Sequence, residues 1–522
     1  METFQYQKRN RLEKIRERCI TMSETIGVKK KNHAYLTVNA DPGIMNEISD
    51  FFTFFVPGYK FMPAYKNKIW DGKIRLFDVR TGDLPGGLFA YVQEFAATPG
   101  RDYHIEVEHD AYYGVPSTNS VVDMEWVNDL TLSSNGVAIA PRDYQLDAVS
   151  HALTKKRALL ISPTASGKSL IIYLILRWFL ERYEKRVLII VPTTSLVQQM
   201  YSDFGDYSQF DDTFNHEENI HRIYSGRPKF AENERIIVST WQSIYKLGPE
   251  WFSQFGAVFG DEAHNFKAKS LISILSKMRD AEYRFGTTGT LDGTQTHKLV
   301  LEGHFGPAHY VTTTKKLMDA GSLAELDISM ILLKYPDDIR KAWGKKKYQE
   351  EMDYIVSYQK RNQFITNLAL DQDGNTLVLF QYVEKHGKPL YNMIKDKAHV
   401  RRQIFYVSGE TGADVREDIR KITETQKNAI IVASLGTFST GVNIRNLHNV
   451  VFASPSKSQI KVLQSIGRGL RKSDNGQATK LFDLADDLHW KARKNYTLQH
   501  AAERMKIYGK EKFKYSIYEV DI

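Results

Sequence analysis

The residues Pro163-Thr164-Ala165-Ser166-Gly167-Lys168-Ser169 lie between an apolar run, RALLIS (157–162), and a longer apolar stretch of helical character, SLIIYLILRWFL. A loop ending in Gly-Lys-Ser at a strand-to-helix junction is suited to hold phosphate. Gly167 lets the backbone come close to the oxygens, and the helix N-terminus supplies N–H donors and a favourable dipole. Lys168 would neutralise charge on the β- and γ-phosphates, and the Ser169 hydroxyl would ligate Mg2+. Ser162 stands where the strict phosphate-loop pattern has its first glycine. The reading therefore leans on the flanking strand and helix, and the bland alternative is a loop that happens to contain these three residues.

A second apolar run, AVFG, ends in Asp261-Glu262-Ala263-His264. Two adjacent acids on a strand tip are the expected partners of a phosphate loop on the neighbouring strand. Asp261 would complete the Mg2+ shell begun by Ser169, and Glu262 would polarise the attacking water. His264, with only acids beside it, reads as a coupling residue that hydrogen-bonds across an interdomain cleft, not as a metal ligand. Upstream, PRDYQ (141–145) opens the domain. Gln145 offers the paired donor and acceptor that an adenine edge requires, and Arg142 is a weaker contact. Far downstream, QSIGRGLR (464–471) places Arg468 and Arg471 three apart on one face of a helix. Across a cleft such a pair could reach a γ-phosphate as arginine fingers, an effect of roughly 10³–10⁵ in rate in other NTPases. The bland alternatives are an exposed acidic turn and arginines paired with surface acids.

The elements that must position these residues follow a strand-then-helix alternation from residue 139 onward. RALLIS, RVLIIVP (186–192), RIIVST (235–240), AVFGDEA (257–263) and YRFGTTG (283–289) are short β-rich runs. After a connecting segment come TLVLFQ (376–381), IFYVSG (404–409), AIIVAS (429–434), NVVFASP (449–455) and KLFDLAD (480–486). Nearly continuous apolar strands with intervening helices predict parallel sheets covered on both faces. Ahead of them, AYLTV (34–38) and KIRLFDV (73–79) alternate like strands, and GIMNEISDFFTFF (43–55) predicts a helix. The expected fold class is α/β: two tandem parallel-sheet domains, at 139–325 and 326–522, preceded by a small basic α+β domain and linker at 33–138. Residues 1–32 form a basic extension, in which Leu12, Ile15, Cys19 and Met22 fall at helical spacing.

Composition agrees with this and excludes other classes. At about 100–200 residues per domain, 522 residues make about three domains. One cysteine excludes a disulfide framework or a cysteine-rich zinc site and points to a reducing compartment. No apolar run reaches about 18 residues, so no membrane contact is expected, and the N-terminus has no apolar signal region. Lys and Arg number 71 against 62 for Asp and Glu, a net charge of +9. That excess suits a polyanionic partner only weakly.

The denser nucleic-acid signal is local. Residues 59–75, YKFMPAYKNKIWDGKIR, interleave five basic residues with Tyr59, Phe61, Tyr65 and Trp70. Such mixtures grip a backbone and stack on bases. Lys66, Lys68 and Lys73 are the favoured contacts, with Trp70 beside them; alternatively Phe61 and Trp70 are core residues of a small domain. Further candidates are hydroxyls and amides at strand ends away from the phosphate loop: Thr193, Thr240 and Gln242, then Ser439 and Thr440 in the second domain. These would bond phosphate oxygens without reading sequence, unless they are ordinary helix caps.

In chain order PTASGKS, DEAH, TTGT (287–290), STGVNI (439–444) and QSIGRGLR resemble the motif series of a superfamily-two helicase or translocase. The chain is similar in particular to UvsW-type recombination helicases of tailed phages. The likeness runs through WDGKIRLFD (70–78), LIIVPTTSLVQQM (188–200), VSTWQS (238–243), EWFSQFG (250–256), YVSGE (406–410), IIVASLGTFSTGVNIRNLHNVV (430–451) and GKEKFKY near the end. It starts near residue 33. The resemblance implies two RecA-like domains binding ATP and Mg2+ between them, with DNA across their tops. It implies that Gly441 meets the nucleotide and that Thr288 and Gln464 share the coupling role of His264. It also implies work on branched or forked DNA and on RNA–DNA hybrids: branch migration, fork regression, D-loop and R-loop unwinding, and annealing. A monomer in the host-cell cytoplasm, working with recombination or single-strand-binding proteins, completes the expectation. The rival readings are an ATP-gated clamp or annealing factor with little turnover, and an RNA helicase.

Overall fold

The computed structural model describes residues 25–101, 103–108, 121–163, 165–266, 269–291, 294–321, 326–343, 346–400, 402–437, 446–454, 478–491 and 495–522. The expected N-terminal helix, Thr164, Ser439, Thr440, Gly441, Gln464, Arg468 and Arg471 lie outside these residues. The chain divides into two compact units, residues 1–160 with 169–309, and residues 161–168 with 310–522.

The first unit opens with a small mixed sheet. Strand β1 (Thr25–Lys30) pairs antiparallel with β2 (Tyr35–Asn39), so the sheet takes in residues that the sequence suggests belong to the extension. Alternation turns Ile26, Val28, Leu36 and Val38 inward. The helix Pro42–Phe51 is capped by Asp41, whose side chain accepts from the Gly43 N–H at 2.8 Å. It ends earlier than its apolar periodicity suggests. The aromatic run beyond it forms β3 (Thr53–Phe55), antiparallel to β4 (Lys73–Arg75). Aromatic side chains favour that extended pairing. Strands β5 (Asp83–Pro85) and β6 (His104–Val107) complete the order β5-β2-β1-β6.

This small domain is built onto the α/β layer that follows. Leu299, from the helix Gln295–Phe305, sits in the core made by Ile48, Phe52, Phe89 and Phe95. The Tyr91 hydroxyl donates to Glu302 Oε2 at 2.5 Å, Tyr35 bonds Ser276 at 2.7 Å, and the His33 N–H donates to the Arg279 carbonyl at 3.0 Å. Buried Gly87 lies so close to the Glu302 carbonyl oxygen that no side chain fits.

After a two-residue ladder, β7 (Ser133–Ser134) with β8 (Val137–Ala138), the first large sheet begins. Its strands are β9 (Arg157–Ile161), β10 (Arg186–Val191), β11 (Ile220–Ile223), β12 (Ile236–Thr240), β13 (Phe255–Asp261), β14 (Tyr283–Thr288) and β15 (Ala308–Tyr310), in the order β11-β12-β10-β13-β14-β9-β15. Parallel ladders join β11, β12, β10, β13 and β14.

The second unit carries the other large sheet: β16 (Leu326–Lys334), β17 (Thr376–Phe380), β18 (Ile404–Val407), β19 (Ile430–Ser434), β20 (Asn449–Phe452), β21 (Thr479–Asp487) and β22 (Tyr515–Asp521). Its order is β18-β19-β17-β20-β21-β16-β22, with every ladder parallel. Strands β17, β19 and β20 are buried along their whole length, as a sheet covered on both faces requires. The acids of β21 are buried with partners. Arg361 pairs with Asp486 at 2.6 Å and donates to the Ala453 carbonyl, and Arg504 pairs with Asp483 at 2.8 Å.

Candidate nucleotide and nucleic-acid sites

The phosphate loop leaves β9 through buried Ser162. The Ser162 hydroxyl lies 2.6 Å from that of Ser166, which also donates to the Pro163 carbonyl at 2.7 Å. The serine in place of the first glycine thus buttresses the loop from inside. Ala165 (φ +65°) and Gly167 (φ +80°) both turn left-handed, which coils the backbone into a tight cradle. For Ala165 that geometry is strained, as at many ligand-gripping loops. The Lys168 ammonium folds back over the cradle to the carbonyls of Ser162 and Pro163, at 3.2 and 3.3 Å. Lys168 and Ser169 begin the helix Lys168–Arg182. An ammonium, a coiled loop and a helix N-terminus form a donor set that fits a nucleotide polyphosphate with its divalent cation.

Asp261 ends β13 almost fully buried and accepts a hydrogen bond from Thr287 at 2.7 Å. Thr287 sits on β14 and opens the TTGT run (287–290), but its bond to Asp261 is not visible in the sequence. Its neighbour Thr288 lies 3.1 Å from His264 Nδ1, which is also 3.3 Å from Glu262 Oε2. Asn265 donates to the Glu262 carbonyl at 3.1 Å. Glu262 itself is left-handed (φ +50°), another strained turn at the site. The expectation that β13 lies next to the phosphate-loop strand needs correcting. Strand β14 is inserted between β13 and β9, and it supplies Thr287, which bonds Asp261, and Thr288, which bonds His264.

Gln145 is almost fully buried near the start of the helix Asp143–Lys155. Its Oε1 accepts from the Arg142 backbone N–H at 2.9 Å, satisfying a donor just ahead of the helix. That bond uses one of the two lone pairs on the Gln145 amide oxygen. The Arg142 guanidinium donates to the Tyr144 hydroxyl at 3.0 Å.

The strand-end candidates also need relocating. The ladder registers align Val191 with Thr240, Ile190 with Gly260 and Asp261 with Thr287. The loops after β10 and β12 therefore lie on the same rim as the acids, displaced sideways along it, and not on an opposite edge. Thr193 caps the helix Thr194–Tyr207, its hydroxyl accepting from Leu196 at 3.3 Å. Gln242 is exposed and donates to the Pro192 carbonyl at 3.4 Å. Thr240 is buried, and its hydroxyl lies 2.9 Å from that of Ser243.

In the small domain, Lys66 and Lys68 are exposed. Phe55 stacks on Tyr59 with ring centroids 4.7 Å apart, Tyr65 meets Tyr59 edge-on, and the Lys73 ammonium lies 5.1 Å from the Phe55 ring. Trp70 is half-buried and donates to the Lys73 carbonyl at 2.9 Å, so it braces the turn. Phe61, a core candidate on sequence, is 80% exposed, and Ile69 is 79% exposed. Ile69 belongs to no periodic apolar pattern; an apolar side chain amid lysines is its only signal in the sequence.

The family model for DNA helicase UvsW, N-terminal, matches residues 25–108. That for type III restriction enzyme, res subunit, matches 138–293, and that for helicase conserved C-terminal domain matches 359–473. Over 519 residues the chain is 36% identical to the ATP-dependent DNA helicase uvsW of Enterobacteria phage T4, covering 95% of this chain and 100% of that protein. The chain belongs to the UvsW family. It is an ATP-dependent DNA helicase, and its two large sheets are tandem RecA-like domains. The crystal structure of T4 UvsW matches with a TM-score of 0.50 at 35% identity, covering 95% of this chain and 99% of that one. A more distant relative is the DNA 3'-5' translocase XPB2 of Sulfurisphaera tokodaii, 23% identical over 64% of this chain and 79% of that protein. Among the described residues no helix is long and apolar enough to cross a membrane.

Proposed function

We propose that this UvsW-family helicase acts on branched DNA: branch migration, fork regression, unwinding of D-loops and R-loops, and annealing. The observation that carries the proposal is the lysine-rich apolar tip at residues 59–75, presented by a small domain built onto the first motor domain. A translocating motor supplies pull, and an exposed Phe61–Ile69 tip flanked by Lys66, Lys68 and Lys73 supplies a surface that grips backbone and stacks on separated bases. Thr193 and Gln242 on the first rim, with Ser439 and Thr440, hold the backbone of the tracked strand. RNA–DNA hybrids fall within the same reading, because backbone contacts do not select a sequence.

In this reading Lys168 and the loop backbone at Pro163, Thr164, Ala165, Ser166 and Gly167 bind the ATP phosphates, and Gly441 is a further nucleotide contact. Arg142 and Gln145 border the base. Ser169 and Asp261 would hold Mg2+, which when bound supplies charge neutralisation at the phosphate oxygens. Glu262 orients the attacking water, and Arg468 and Arg471 stabilise charge on the transferring group. His264, Thr288 and Gln464 relay the state of that site to the nucleic-acid loops. The protein works as a monomer in the host-cell cytoplasm, alongside recombination or single-strand-binding proteins.

The test is ATP-dependent conversion of a synthetic four-way junction, measured beside a simple fork and an R-loop. Junction and R-loop should be processed at least as fast as the fork. Activity on the fork alone would reject the branched-DNA role.

A further inference from the structure

The last hydroxyl of the phosphate loop has a partner that the motif series does not supply. Ser169 Oγ lies 2.8 Å from the phenol oxygen of Tyr207, the final residue of the helix Thr194–Tyr207. The Tyr207 ring rests against Tyr173, with centroids 5.5 Å apart, one turn along the phosphate-loop helix from Ser169. Tyr173 is itself fixed: its oxygen accepts from Arg177 at 2.9 Å, and Arg177 pairs with Asp211 at 2.5 Å with both side chains nearly buried. The phenol is thus backed by a packed aromatic and ionic cluster, and its place does not depend on a mobile side chain.

A serine hydroxyl that ligates a divalent cation must turn its lone pairs to the cation and send its proton elsewhere. The phenol oxygen stands at the distance needed to accept that proton. We propose that Tyr207 is a positioning residue for the nucleotide-associated cation: it accepts the Ser169 hydroxyl hydrogen bond, locks the serine rotamer and presets the oxygen for the cation. This rests on the reading of Ser169 as a cation ligand given above. Groups that orient a metal ligand from behind typically change affinity by about 10–100-fold when removed. The same helix begins at Thr193, a strand-gripping candidate. One helix of about 21 Å therefore runs from the cap residue Thr193 to Tyr207.

Tyr207→Phe keeps the ring and its packing on Tyr173 and deletes only the hydroxyl. The measurement is binding of a fluorescent ADP analogue to the full chain with Mg2+ and with EDTA, together with the Mg2+ dependence of ATP hydrolysis. In the variant, the affinity gained from Mg2+ should fall by about 10–100-fold, with affinity in EDTA unchanged and hydrolysis recovered at high Mg2+. A Mg2+ gain equal to that of the unaltered protein overturns the proposal. So does an equal loss in EDTA, which would mark a packing role. Ser169→Ala separates the two layers of inference. If it abolishes the Mg2+ gain while Tyr207→Phe keeps it, the serine is a ligand and the tyrosine does not position it. If Ser169→Ala also keeps the gain, both readings fall.

Discussion

Gly87→Ala tests whether the small domain works only when seated on the first motor domain. Gly87 belongs to a buried turn whose backbone touches the carbonyl of Glu302, and a Cβ there would overlap that oxygen. The neighbour cannot yield easily. Glu302 is itself buried, accepts from Tyr91 at 2.5 Å and from the Ala308 N–H at 2.9 Å, and lies on a helix that contributes Leu299 to the small domain's core. Overpacking a tight contact costs about 1–3 kcal/mol. At about 1.4 kcal/mol per tenfold, seating weakens by about 5–150-fold. The nucleotide loop and the acids of β13 are not touched by the change, so ATP hydrolysis on single-stranded DNA should stay within about twofold of the unaltered protein. Junction unwinding should fall by an order of magnitude or more, and protease should cut between the small domain and the motor at lower concentration. Unaltered protease resistance together with unaltered junction unwinding would refute the idea that this contact holds the domain in its working position.

Lys168→Ala should abolish DNA-stimulated ATP hydrolysis with little change in the far-ultraviolet circular dichroism spectrum; retained turnover would remove the nucleotide site from this loop. Replacing Lys66, Lys68 and Lys73 together by Ala should weaken duplex binding and flatten its salt dependence. The log–log slope should shrink by about 0.9 for each phosphate that the lysines no longer neutralise, up to about 3 in all. An unchanged slope in filter binding would place the DNA-binding surface elsewhere. Arg361→Ala leaves Asp486 buried without its 2.6 Å partner and should cost about 3–5 kcal/mol by urea denaturation. Burial holds His151 and His304 down at about 4 and about 3, below the ordinary imidazole value of 6.5. The unfolded chain therefore binds more protons in the acid range, and their contribution to stability is complete above about pH 6.5 and lost as the pH falls through those values. The urea midpoint should drop steadily from pH 7 to pH 4, and His304→Gln should blunt the drop.

The strands are legible in the sequence because burial on both faces writes them as unbroken apolar runs, as in Val187–Val191 and Ile430–Ser434. The nucleotide loop is legible because its chemistry is contiguous along the chain. Strand order is not, since β14 enters between β13 and β9 through pairings made far along the chain, and the bond from Thr287 to Asp261 shows only after that placement. Edge strands such as β15 and β22 escape notice for a different reason: few of their side chains are buried, so apolar spacing carries little signal. The fate of polar side chains is hidden as well. Gln145 has the right type for adenine, and its bond to the Arg142 N–H at the helix start shows only in the fold. Phe61 has a core residue's composition, but the short 3-10 turn Tyr59–Phe61 buries none of its residues.

One consequence of the first sheet's construction concerns how such machines diversify. The loops after β10 and β12 share one parallel rim with the acids of β13, while the strands beneath them are almost wholly buried. On the proposed assignment, insertions or exchanges after β10 or β12 would alter the strand-gripping loops and leave the bond between Thr287 and Asp261 in place.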